Sequence, residues 1–145
     1  MGTSTAASAG LGAGVLPHWH AYAKTGRDVD RAGFPYGQLL DGDQWLAKPR
    51  DWIAATLHDE VAAERWMKEQ LAAYPPANVA AHGYAHATLN TRLFLTREPH
   101  RDVWAHYWDR HGREVLRLLA PCPRPIVSWA LKKTPVECPE TRAQV

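Results

Sequence analysis

The sequence predicts a mainly α domain, an antiparallel three-helix bundle over about residues 51–73, 79–96 and 99–120. Three observations carry this expectation. Apolar residues recur at helical spacing along each stretch. Proline-containing breaks separate the stretches, as at Tyr74-Pro75-Pro76 and at Pro99. The connections are too short for anything but antiparallel neighbours. The 145 residues make one domain's worth of chain. With 46% hydrophobic and 22% charged residues, wholesale disorder, a collagen helix and a disulfide scaffold are excluded. No uncharged apolar run approaches the ~18 residues of a spanning helix.

Residues 1–16 (MGTSTAASAGLGAGVL) are small and uncharged, and they predict a flexible arm. The arm has no cationic start and no arginine precedes Arg27, so neither a secretory signal nor a standard presequence is expected. Residues 17–120 form the expected single helical domain, and 121–145 a proline-rich extension. Within 17–48 no period persists. A short strand is expected at His18–Lys24, with turns at Thr25-Gly26 and Asp41-Gly42-Asp43.

The first helix (51–73) starts after Pro49, and Ile53, Leu57, Met67 and Leu71 make its stripe. Glu60 and Glu64 fall close to that stripe, one turn apart. In the second helix (79–96) Asn78 suits the N-cap, and Gly83 reads as a weakness of ~1 kcal/mol relative to alanine. Its stripe is Val79, His82, His86, Leu89 and Leu93. The third helix (99–120) has Pro99 at N1 and a stripe of Trp104, Trp108, His111, Val115 and Leu118, ending at Pro121. A short element, Ile126–Lys133, follows.

Antiparallel packing of these helices brings Glu64, His86 and His111 to one layer, with His82 or Glu60 one turn away. Carboxylates and imidazoles on facing helices are how bundle metal sites are built. Such N/O donors suit zinc, iron or manganese. A Glu–His hydrogen bond would satisfy the same side chains without a metal.

Pro17-His18-Trp19-His20-Ala21-Tyr22 (PHWHAY) places two histidines on one side of a strand. This resembles the histidine–hydrophobe–histidine motif of rolling-circle replication and relaxase endonucleases, over six residues. The resemblance implies a divalent ion on His18 and His20, a strand-rich platform and a nucleophilic tyrosine on a helix. Tyr84 and Tyr107 are the candidates on predicted helices. His86-Ala87-Thr88-Leu89 matches one motif of the two-histidine phosphoesterases, whose chemistry needs a second copy that the sequence lacks. Phosphate-loop, dinucleotide-fold, serine-elbow and H-E-x-x-H patterns are absent. Cys122 and Cys138 have neither C-x-x-C nor zinc-finger spacing, and the sequence leaves them as free thiols or a pair.

Seven tryptophans and eight histidines exceed what a three-helix core readily hides. Trp19, Trp45, Trp52, Trp66, Trp108 and Trp129 are therefore expected to anchor a protein interface. The leading expectation is a non-catalytic accessory subunit without cofactor, docked on other subunits of a larger assembly. An intracellular setting is expected, and a mitochondrial respiratory or ribosome-type complex suits this character by analogy. The alternative is a metal-binding helical protein or metalloenzyme using Glu64, His82, His86 and His111. A second alternative is a DNA-associated protein of a mobile element. Residues 73–145 hold ten cations against six acids, while residues 1–72 hold seven against nine, so nucleic acid would meet the later helices.

Overall fold

The computed structural model describes residues 16–35, 37–124 and 136–141. The chain begins with strand β1, His18–Thr25, as the sequence led us to expect, and short helices α1 (Arg27–Arg31) and α2 (Gly42–Leu46) follow. After a 3-10 turn at Arg50–Trp52 come strand β2 (Ala55–Leu57) and helices α3 (Glu60–Ala73) and α4 (His82–Arg97). Strands β3 (Val103–Trp108) and β4 (Glu114–Cys122) close the order. The four strands form an antiparallel sheet in the order β2-β1-β4-β3.

This is an α/β fold, and it overturns the mainly α three-helix bundle. The expected first helix is a helix only from Glu60. Its opening third is the 3-10 turn and strand β2, because Asp59 is the N-cap, its carboxylate accepting from Ala62 N at 2.8 Å. The expected second helix survives as α4. The expected third helix is the β3–β4 hairpin. Val103, Ala105 and Tyr107 alternate with Trp104, His106 and Trp108, a period of two rich in β-branched and aromatic residues. At the turn Asp109 Oδ1 accepts from the N–H groups of His111 and Arg113, each at 2.9 Å. Gly112 supplies the left-handed residue there, with φ 74°. The run Val115 to Cys122 is buried throughout because β4 is an inner strand covered on both faces.

Alternation sorts the core into two layers. On one face Trp19, Ala21, Val103, Tyr107, Val115 and Leu119 meet Ala63, Met67 and Leu71 of α3 and Ala87, Phe94 and Leu95 of α4. On the other, Tyr22, Leu116, Leu118 and Ala120 meet Val29, Trp45 and Leu46 of the α1–α2 region. Arg117 is buried on the first face with neutral partners: Gln70 Oε1, the Lys24 and Leu116 carbonyls and Thr25 Oγ1, at 2.7 to 2.9 Å.

The α4 backbone presses on the edge strand β3. A Cβ on Gly83 would overlap the His106 carbonyl, so glycine here is the condition of close packing. Among the described residues, no helix is long and apolar enough to cross a membrane.

Candidate metal centre

The sheet register assembles the site. His18 and His20 lie two residues apart on β1, so both face the layer that holds Tyr22. β4 runs antiparallel beside β1 with His18 opposite Cys122 and His20 opposite Ala120. Cys122 therefore reaches the same face at the same end. Cys138, from the extension, completes the group. The four ligand atoms lie within 4.8 Å of one another, and all four residues are buried.

His18 Nε2 lies 3.2 Å from His20 Nε2, and these nitrogens lie 3.4 and 3.2 Å from Cys138 Sγ. A tetrahedral zinc with ordinary Zn–N and Zn–S bonds has N–N edges of about 3.3 Å and N–S edges of about 3.6 Å. The two imidazole nitrogens and Cys138 Sγ stand close to that spacing, and Cys122 Sγ lies within 4.8 Å of them.

The remaining ring nitrogens are also placed. His18 Nδ1 lies 2.8 Å from the Leu16 carbonyl, which can only accept, so Nδ1 carries the proton. His20 Nδ1 lies 3.0 Å from Thr56 Oγ1 on the neighbouring strand β2. The carbonyl sets the His18 tautomer that leaves Nε2 free to ligate, and the Thr56 hydroxyl is able to accept from His20 Nδ1 in the same way. Burial and the neighbouring His18 push the His20 imidazole down to about 4, keeping it in the neutral, ligating form. Burial also pushes the Cys122 thiol up, with Cys138 beside it adding to the effect. A metal entering here displaces the thiol protons.

The extension is held down independently. Thr141 N donates to the Cys138 carbonyl at 3.0 Å, and Arg50 Nε donates to the Pro139 carbonyl at 3.4 Å. Just beyond Cys122, Arg124 pairs with Asp102 at 2.6 Å and with Asp43 at 2.9 Å. Asp102 also accepts from Gly42 N at 2.9 Å. Burial pulls the Arg124 pKa down, but the two carboxylates outweigh it and hold the guanidinium above its usual range. Glu140 and His58 stand at the rim: Glu140 Oε1 is 3.8 Å from His18 Nε2, and the His58 ring is 6.2 Å from the His18 ring.

The structure does not bring together Glu64, His82, His86 and His111. Glu64 pairs with Lys68 and Arg92, each at 3.4 Å. His86 stacks on Trp104 with ring centroids 4.3 Å apart, and His82 lies 6.0 Å from it. His111 is exposed in the hairpin turn, and Glu60 is exposed at the start of α3. Of the tryptophans, Trp19 and Trp45 are inside the chain's own layers, and Trp52 and Trp66 are half-buried. Trp108 is 58% exposed, and Trp129 falls outside the described residues.

The endonuclease resemblance has its strand pair in place but not its tyrosine. Tyr84 and Tyr107 belong to the opposite face of the sheet from His18 and His20. No family model matches the chain, nor does any curated protein or solved structure.

Sequence reasoning found the histidine pair and missed its partners. Two cysteines, each followed by proline, in a chain with a His-x-His strand were the available signal. Their spacing matched no known finger, and only the sheet register shows that Cys122 faces His18.

Proposed function

We propose that this chain is a zinc-binding domain in which the metal fastens the C-terminal extension to the end of the sheet. The observation that supports it most is the convergence of His18, His20, Cys122 and Cys138, all buried, with their ligand atoms within 4.8 Å of one another. Two thiolates and two imidazoles in a tetrahedron favour zinc over oxygen-seeking cations such as magnesium or manganese. Four protein ligands leave no position for water or substrate, which is the pattern of a structural site. Bound zinc would contribute by tying β1, β4 and the extension into one unit, and by removing the facing lone pairs of two imidazoles held 3.2 Å apart.

Elemental analysis of the natively purified full chain tests this directly. About one zinc per chain is expected, with most of it lost in Cys138→Ser. Substituted with cobalt, the protein should show thiolate-to-cobalt charge-transfer absorption in the near ultraviolet. A chain that purifies without metal, and whose melting curve zinc does not move, would refute the assignment.

A further inference from the structure

The far end of the same sheet face carries a second polar group, unconnected with the metal ligands. His106 of β3 and Glu114 of β4 sit diagonally across the hairpin, with His106 Nε2 2.6 Å from Glu114 Oε2. That is a short N–H···O hydrogen bond. Among the described residues Glu114 Oε1 has no partner. The two side chains are 31% and 18% exposed, so the pair meets solvent.

In front of them lies a cleft of about 490 Å³, within the range of small-molecule sites. Val29 and Asp30 of α1 form one wall, and Leu39 and Leu40 of the following loop form another. The described lining residues include no lysine or arginine. With Asp30 and Glu114 ionised, the lining carries a net negative charge whether or not the His106 imidazole is protonated. An anion entering this space meets net repulsion and finds no lysine or arginine among the described lining residues. An apolar molecule gains only the apolar walls, Phe34 among them. A cation with an apolar body gains both.

We propose that this cleft binds a small organic cation, an ammonium group on an aromatic or hydrocarbon body. The ammonium donates to Glu114 Oε1, Asp30 adds attraction at the mouth, and the body lies along Val29, Leu39 and Leu40. His106 acts as a positioning residue, holding the Glu114 carboxylate toward the cleft through its own hydrogen bond. The site is independent of the metal, because it shares no residue with the zinc ligands.

Titration calorimetry on the zinc-loaded full chain with three probes of one body decides the matter: phenethylamine, 2-phenylethanol and phenylacetate. Phenethylamine should bind at least about tenfold tighter than 2-phenylethanol, and phenylacetate should be the weakest. Glu114→Gln should erase the tenfold preference, leaving zinc content and the far-ultraviolet spectrum unchanged. If that variant unfolds, Asp30→Asn takes its place, since Asp30 is exposed on a surface helix, and about a threefold loss is expected for the amine alone. Equal affinity for the three probes, preference for the carboxylate, or no saturation of the amine below ~10 mM would overturn the proposal.

Discussion

Two ends of one sheet face hold histidine in opposite circumstances. At the β1–β4 end, His18 and His20 are 6% and 0% exposed, and their free nitrogens turn toward sulfur. At the hairpin end, His106 is part-exposed and turns toward a carboxylate. The difference follows from strand order. β1 and β4 are inner strands, so a side chain on them is covered from both sides, whereas β3 is an edge. A closed, sulfur-containing cluster can keep an ion for the life of the fold. An open imidazole–carboxylate pair beside a solvent-facing cleft can exchange its ligand. One residue type thus serves two chemistries, divided by depth and by partner.

The largest effect expected from testing this contrast is at the closed end. Stripping zinc with a chelator should cost more than about 3 kcal/mol, roughly 10 °C in melting temperature for a chain of this length. Cys122→Ser should reproduce it, whereas Glu114→Gln at the open end leaves the four ligands in place and should show the full drop on chelation. An unmoved melting curve after chelation would make the two ends alike.

Next is Gly83, which holds α4 against the strand that carries His106. The sequence alone makes Gly83→Ala a gain of ~1 kcal/mol, by helix propensity. Contact with the His106 carbonyl reverses the sign, and a loss of about 3 kcal/mol is expected by denaturant titration. A stabilised variant would show that helix and strand stand further apart.

Asp102→Ala removes the strongest partner of Arg124, next to Cys122, and leaves a poorly compensated guanidinium with only 11% side-chain exposure. About 2–3 kcal/mol is expected, below the loss of a full buried pair because Asp43 remains.

Acid should act on the hairpin that carries the open end. Burial pulls the Asp109 pKa up, but the Arg113 and His111 N–H groups and the Arg113 side chain outweigh it, so the carboxyl titrates below its ordinary value. A depressed folded pKa stabilises above the unfolded value of 3.8 and is lost as pH falls through the folded one. Asp109→Asn should therefore flatten the melting temperature's dependence on pH below about 4. An unchanged acid limb would count against this cap.

The smallest effect is Glu114→Gln on stability itself. A pair this exposed should contribute within about 1 kcal/mol, so the variant separates binding from folding.

Local physics explains how far the chain could be read. Proline signals placed the end of α3 and the start of α4 within a few residues, because a proline ring acts on its own neighbours; the start of α3 was read nine residues early, and the cap expected at Asn78 lies at Ala81. His18 and His20 were legible as a pair because a strand's period of two needs no partner to operate. The stretch 99–120 failed because Trp104, Trp108, Val115 and Leu118 satisfy a helical stripe while Val103, Ala105 and Tyr107 equally satisfy alternation. Short apolar runs admit both periods. Pairing with β1 decided between them, and no local residue encodes that pairing.

The sequence by itself determined the two long helices, the first strand and the absence of known nucleotide or hydrolase motifs, all properties carried by neighbours along the chain. Tertiary structure alone decided the sheet, the fate of the misread hairpin and the meeting of His18 and His20 with a cysteine 120 and 118 positions away. The physical reason is distance along the chain. Propensity acts over a few residues, whereas a four-ligand site depends on strand register and on where the extension folds back.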